Sequence, residues 1–249
     1  MSGAIAELAA RLARARRVTV LTGAGVSAAS GVPTFRGPGG LWKEFRPEEL
    51  ATPEAFARDP RLVWEWYDWR RRLVSECRPN SAHEVLAAWS RRFPVFTLVT
   101  QNVDGLHEAA GTRNVVRFHG SIWEVLCERG CRAGPRREDR TVPFPILPPP
   151  CLCGGALRPG VVWFGEAIDP SILEASAAAT DCDVCIAVGT SAVVFPAAGL
   201  LPEAKQRGAF TAEINPEATP ATRSVDCAIA GRAEDALPEV DRRLGAIPA

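Results

Sequence analysis

Short apolar runs alternate along this chain with segments of helical periodicity. Val18 to Thr22, Val95 to Thr100, Val115 to Phe118, Val161 to Phe164, Asp183 to Val188 and Phe210 to Ile214 have the length and β-branched content of buried strands. Between them lie helices with readable starts. Asp59 and Pro60 supply an N-cap and a first-turn proline, Ser81 to Glu84 reads as a capping box, and Asp169 with Pro170 opens a third helix. Near the N-terminus Ile5, Leu8 and Leu12 keep helical spacing among Arg and Ala. Strands separated by helices demand crossover connections, so the expected class is α/β with a doubly wound, mostly parallel sheet. One segment breaks the alternation: residues 132–150 are rich in Arg and Pro, lack a period, and read as an insert outside the sheet.

Composition narrows what such a fold can do. The 249 residues carry 29 basic and 29 acidic side chains, a formal net charge of zero, so no global positive field attracts nucleic acid or an anionic membrane. Two of the basic residues are Lys43 and Lys205; all the rest are Arg, which suits fork-like recognition of a carboxylate or phosphate. No stretch approaches the roughly 20 apolar residues of a membrane span, and the N-terminus lacks a signal-peptide core. A cytoplasmic location is expected, where the eight cysteines stay reduced and grouped thiols point to metal before disulfides.

The first chemical signal follows the first strand. Gly23, Ala24, Gly25, Val26, Ser27 and Ala28 form a G-x-G-x-x-A turn, which lets backbone approach a pyrophosphate at the start of a helix. A hydride-transferring dehydrogenase would place an acidic residue about 20 positions on, at the end of a second strand. This chain instead has the glycine-rich loop Gly37 to Trp42 there.

Rare residues supply the remaining candidates. Of three histidines, His83 reads as a surface or packing residue of a capped helix, and His107 as a residue orienting its loop. His119 follows a strand directly and precedes Gly120, at the sheet edge where ligands collect, and its imidazole suits a general base. On the residues alone, a structural role for it stays equally open. The single tyrosine, Tyr67, shares a helical stripe with Val63, Arg70 and Val74, so Arg70 either reaches water or meets a partner in a buried face, while Arg71 and Arg72 read as solvated. Cys127 and Cys131 form C-x3-C, and Cys151 and Cys153 form C-x-C, two close thiol pairs of the kind a tetrahedral structural zinc takes. The regular C-x2-C of Cys182 and Cys185 leads into a strand and reads as small buried residues.

Taken in order, GAGVSAASGVPTFR from Gly23 to Arg36, TQNVDGLH from Thr100 to His107, FHG at 118–120, RPGVVWFGE at 158–166, GTS at 189–191 and INP at 214–216 resemble the signature of the sirtuins, NAD-dependent protein-lysine deacylases. The resemblance covers nearly the whole chain. It implies one catalytic unit over residues 1–249: a Rossmann-like sheet from 17–120 and 158–249, a zinc-ribbon insert at 121–157, and a helical segment, 37–93, that contributes to the smaller part. It implies that Gly23, Ala24, Gly25, Ser27, Thr34, Phe35, Arg36 and Trp42 hold the phosphates and nicotinamide end of NAD. Gln101, Asn102 and Asp104 would line the ribose and nicotinamide pocket, and Gly189, Thr190, Ser191, Asn215 and Ala233 the adenosine half. His119 becomes the catalytic base beside Asn102, and Cys127, Cys131, Cys151 and Cys153 the ligands of one structural zinc. Val162, Trp163, Phe164 and Gly165 would bind the peptide by strand addition.

Tyr67-x-x-Arg70 also resembles the substrate motif of class III sirtuins, with Ala51 as the small residue that widens the acyl pocket. That resemblance implies succinyl-, malonyl- or glutaryl-lysine substrates, with acetyl-lysine secondary, on protein or peptide partners; a monomer is compatible with it. Competing readings are a mono-ADP-ribosyltransferase, a regulatory module that binds NAD or acyl-lysine without turnover, and a zinc-ribbon nucleic-acid binder, which the zero net charge disfavours.

Overall fold

A computed structural model describes residues 2–35 and 46–247. Its main sheet is parallel throughout, with strand order β3-β2-β1-β7-β8-β9. The strands are β1 (Arg17–Thr22), β2 (Val95–Thr100), β3 (Val115–Arg117), β7 (Val184–Val188), β8 (Phe210–Asn215) and β9 (Cys227–Ala230). Five expected strands appear within two residues of the apolar runs that specify them. From β1 the chain works outward through β2 and β3, then returns to the other side of β1 for β7, so the strand order reverses at the β1–β7 boundary. Open α/β sheets bind ligands beyond the C-terminal strand ends at such a point.

Helices cover both faces. On one face α1 (Ser2–Leu12), α5 (Ser81–Arg92) and α9 (Ala233–Gly245) enclose a core that contains Leu8, Leu12, Leu86, Trp89, Ile186 and Leu237. Trp89 donates its indole N–H to Asp241 at 2.7 Å, joining α5 to α9. On the other face α7 (Pro170–Ala179) and α8 (Leu200–Gln206) pack over Cys185, Ala187 and Val99. Cys182 and Cys185 are both buried there. Among the described residues, no helix is long and apolar enough to cross a membrane.

A second, three-stranded antiparallel sheet has the order β5-β4-β6, from β4 (Gly120–Cys127), β5 (Arg137–Glu138) and β6 (Leu157–Val161). It packs with α3 (Pro53–Arg58) and α4 (Pro60–Glu76) around Val63, Trp64, Ile122, Val125 and Leu157. The short α2 (Pro47–Leu50) precedes α3, and α6 (Leu106–Ala109) follows β2.

Several sequence expectations are corrected here. The strand expected at Val161 to Phe164 lies earlier, at Leu157–Val161, and belongs to the small sheet; Val161 ends it, and Trp163 and Glu166 close a turn with a 3.1 Å backbone bond. Residues 158–161 therefore sit with the insert, whereas α5, inside the helical segment 37–93, packs in the large core. The cap of α5 is Asn80, one residue before Ser81: its side chain accepts from Ala82 N–H, and His83 Nδ1 accepts from Asn80 N–H. Arg71 is not solvated. It is fully buried and donates to the carbonyls of Ile122, Asp139 and Thr141, so α4 is tied to the insert by a cation. Arg72 stays exposed and pairs with the buried Asp68. Helix α9 and strand β9 had no clear signature, because Pro238 lies inside α9 and β9 alternates buried with exposed positions. A proline removes an N–H that a carbonyl four residues earlier would accept. That carbonyl, Glu234 O, instead accepts from Ser81 Oγ at 2.7 Å.

Candidate active site

A cavity of about 970 Å³ opens at the strand-order reversal and runs between the two sheets. Its floor is made by the turns after β1 and β7. Gly25 N–H donates to Gly189 O at 2.8 Å, and the two turns interlock so closely that a Cβ on Gly25 would stand 2.8 Å from Gly189 Cα. Gly189 has φ of 58°, and a Cβ there would meet Val26 N at 2.5 Å. The glycines thus allow the two turns to touch, besides leaving backbone open to a ligand.

Most sequence candidates converge on this cavity. Gly23, Ala24, Gly25, Thr34, Phe35, Gln101, Asn102, His119, Gly189, Thr190, Ser191, Asn215 and Ala233 line it, and so do Ala51, Tyr67, Arg70, Val162, Trp163, Phe164 and Gly165. Arg36 and Trp42 lie outside the described residues. Ser27 and Asp104 do not reach the wall and stand in a buried layer behind it. Cross-bonds hold the wall together. Gln101 Nε2 donates to Thr190 Oγ1 at 2.9 Å, and Asn215 Nδ2 donates to Thr190 O at 2.8 Å.

His119 Nδ1 lies 3.2 Å from Gln101 O. A carbonyl oxygen only accepts, so Nδ1 carries the hydrogen and Nε2 keeps its lone pair. Burial lowers the His119 pKa, opposed by that hydrogen bond, so the ring is neutral near pH 7 and able to take a proton.

Behind the wall lies a polar layer that sequence reading missed. Ser27 Oγ donates to Asp104 Oδ2 at 2.8 Å and accepts from Asn102 Nδ2 at 3.1 Å. His83 Nδ1 accepts from Asn80, so its Nε2 carries the hydrogen toward Ser27 Oγ at 3.4 Å. His107 Nε2 is 3.0 Å from Thr22 Oγ1, and the two imidazole rings stand 4.8 Å apart. Burial lowers His83 to about 4 and His107 well below its ordinary value, which keeps this histidine pair neutral. Burial also raises Asp104. Neither His83 nor Asn80 signals this role by spacing, because their partners lie more than fifty residues away.

The far end of the cavity is aromatic and carries the Arg70 cation. The Arg70 guanidinium lies 4.9 Å from the Phe35 ring centre, 4.8 Å from Trp66 and 5.8 Å from Tyr67. Arg70 is 7 % exposed, and among the described residues no carboxylate stands within ion-pair distance of it. Burial lowers its pKa, and burial raises that of Tyr67. Along the cavity edge, three N–H groups of the turn after β6 are already used. Val162 donates to His119 O, Phe164 to Ala51 O, and Trp163 to Glu166.

The four insert cysteines also meet. The Sγ atoms of Cys127, Cys131, Cys151 and Cys153 all lie within 4.8 Å of one another, with nearest pairs at 3.6 and 3.5 Å. Zinc–sulfur bonds of about 2.3 Å in a tetrahedron place sulfurs about 3.8 Å apart, so the group fits one structural zinc, which would link the two ends of the insert. The irregular spacing has a local cause. Gly130 and Gly154, both at positive φ, close turns back to Cys127 O and Cys151 O, so Cys131 lies just past one turn and Cys153 inside the other. Arg129 N–H donates to Cys127 Sγ at 3.3 Å, which favours a thiolate.

Known proteins share this fold. Residues 23–196 match the Sir2 family. A protein of Aquifex aeolicus named NAD-dependent protein deacylase is 51% identical over 225 residues, 90% of this chain and 93% of its own. A Sir2 homologue solved as an NAD complex superposes with a TM-score of 0.89 at 46% identity, covering 96% of this chain and 93% of the other. A Sir2 protein bound to a myristoylated histone peptide gives 0.79 at 30% identity over 99% and 98%. By family match, identity and fold, this chain belongs to the Sir2 family.

Proposed function

We propose that this Sir2 family member is an NAD-dependent protein-lysine deacylase that prefers succinyl, malonyl and glutaryl groups, removes acetyl groups more weakly, and releases nicotinamide and O-acyl-ADP-ribose. The deacylase names of its relatives support the reaction. The acyl preference rests on one observation: Arg70 is a buried cation ringed by aromatic faces in the wall of the cavity, with no carboxylate of the chain beside it among the described residues. A buried unpaired charge is costly, and a ligand carboxylate offsets that cost through paired hydrogen bonds. Tyr67 and Ala51 complete this part of the wall.

The remaining residues divide the work. Gly23, Ala24, Gly25, Thr34, Phe35, Arg36 and Trp42 hold the phosphate and nicotinamide end of NAD, with Ser27 acting from behind the wall through Asn102; Gly189, Thr190, Ser191, Asn215 and Ala233 hold the adenosine end. NAD, when bound, supplies an electrophilic ribose carbon and the hydroxyls that receive the acyl group. His119 takes a proton through Nε2 from one of those hydroxyls, with Nδ1–H anchored on Gln101 O. Asn102 is oriented by Ser27, and Asp104 keeps Ser27 turned as an acceptor. The peptide lies along Val162 to Gly165, where the used N–H groups leave it mainly carbonyls to bind. The large parallel sheet forms the nucleotide half; β4, β5 and β6 with the zinc form the smaller half.

Incubation with NAD and matched succinyl- and acetyl-lysine peptides, read by mass spectrometry, tests this. The expected products are free lysine peptide and O-acyl-ADP-ribose. Arg70→Met is expected to lower desuccinylation by about 100-fold or more, the range for removing one partner of a buried charge pair, while retaining deacetylation. Equal loss of both activities would refute the carboxylate role.

A further inference from the structure

Tyr67 and Arg70 belong to α4, but the hydroxyl of Tyr67 is held from the other side of the cavity. Trp163, 3 % exposed, donates its indole Nε1–H to Tyr67 Oη at 3.0 Å. An indole nitrogen offers a hydrogen and no lone pair, so the direction is fixed and the phenol accepts. The phenol hydrogen is then left over. Among the described residues it has no acceptor within hydrogen-bond distance, so it is available to a ligand.

The indole itself has little freedom. The Arg158 guanidinium lies 3.5 Å above its ring, and the Phe56 ring is 5.3 Å away. Arg158 is bound through both nitrogens to Glu166 and donates to Val161 O at 3.0 Å. Glu166 Oε2 in turn accepts the Trp163 backbone N–H at 2.8 Å. Backbone and side chain of Trp163 are thus clamped by one ion pair, and the free end of the indole meets Tyr67.

We infer that Trp163 is a positioning residue for acyl recognition: its indole N–H holds Tyr67 as a hydrogen-bond donor toward the carboxylate of an acidic acyl group, and so sets the discrimination between charged and neutral acyl chains. This rests on the reading that Tyr67 and Arg70 take that carboxylate. A phenol free to rotate would spend part of its time donating elsewhere; one that must accept from indole presents its hydrogen to the ligand.

The test is kcat/KM for succinyl- and acetyl-lysine peptides of one sequence, at saturating NAD, in the wild type, Trp163→Phe, Tyr67→Phe and the double variant. Trp163→Phe keeps an aromatic ring and loses the N–H. The succinyl-to-acetyl ratio is expected to fall about 5- to 10-fold in Trp163→Phe, the scale of one neutral hydrogen bond. It should fall at least as far in Tyr67→Phe and no further in the double variant, with the KM for NAD unchanged. A purely packing role lowers both activities together and leaves the ratio alone; that result, or additive effects in the double variant, overturns the inference. If Trp163→Phe does not fold, Trp163→Leu is compared in the Tyr67 and Tyr67→Phe backgrounds. A change of ratio confined to the Tyr67 background supports the inference, whereas no change, or equal change in both, overturns it. A wild-type ratio at or below one, or one that Arg70→Met does not alter, marks failure of the acidic-acyl reading and removes this inference with it. A high ratio that Arg70→Met collapses and Trp163→Phe leaves intact refutes the Trp163 role alone.

Discussion

Replacing Arg71 by Met should destabilise the smaller half of the protein far more than its position in a run of three arginines suggests. The guanidinium is fully buried and donates to Ile122 O at 2.7 Å, to Thr141 O at 3.1 Å and to Asp139 O, while Trp123 and Phe144 cover its faces at 5.2 and 4.6 Å. Hydrogen bonds to a charged group contribute about 1.5–3 kcal/mol each, roughly 4.5–9 kcal/mol for three. Burial opposes them: although Asp139 and Asp68 offset it in part, it lowers Arg71 from 12.5 to about 10, a net cost of about 3 kcal/mol at 1.36 kcal/mol per pKa unit. The difference leaves about 1–6 kcal/mol, a range that includes the cost of breaking a buried charged network. Urea unfolding followed by tryptophan fluorescence reads this directly, because Trp64, Trp66, Trp123 and Trp163 all lie in the core of the smaller half. Arg61→Met is the control, since Arg61 is exposed and its pair with Glu65 is worth about 0–1 kcal/mol. A loss below about 1 kcal/mol for Arg71→Met, or one no larger than for Arg61→Met, would show that the three carbonyls do not depend on this cation.

Two further outcomes follow from the same geometry. His119 must be neutral to take a proton, and burial holds its pKa below 6.5, so activity is present above that value and lost as pH falls through the lowered pKa; a pH profile of kcat/KM with its acidic limb above 6.5 contradicts the assignment. Cys153→Ser should lower zinc content below one ion per chain, measured by metal analysis of the purified protein, and destabilise residues 120–161 before the parallel sheet, read by hydrogen exchange; full zinc retention would exclude Cys153 as a ligand.

The legible part of this protein lies where local pattern and contact coincide. Apolar runs mark five of the six main strands because both faces of a parallel sheet are covered, and a buried strand needs no distant information to look like one. Gly23 and Gly25 after β1, the thiols of the insert, and the stripe of Tyr67 and Arg70 were readable for the same reason: short spacing places them together. The strand β4 was harder, since Glu124 interrupts its apolar run, and β6 was misplaced because Val161 to Phe164 is apolar for the sake of the cavity edge rather than a sheet.

Periodicity says which side of a helix a residue occupies, and leaves open what meets it there. Arg71 and Arg72 are neighbours of identical type, yet one is buried because carbonyls 51 to 70 residues away approach it, and the other is exposed. The hydrogen on His119 Nδ1, the neutral pair His83 and His107, the relief of Pro238 through Ser81, and the indole that directs Tyr67 have the same origin. The amino-acid sequence determined by itself the α/β class, the order of motifs and the residue types available for chemistry. Tertiary structure decided which of those groups are buried, which nitrogen holds a hydrogen and which cation is ringed by aromatic faces, because these depend on partners that only folding brings into contact.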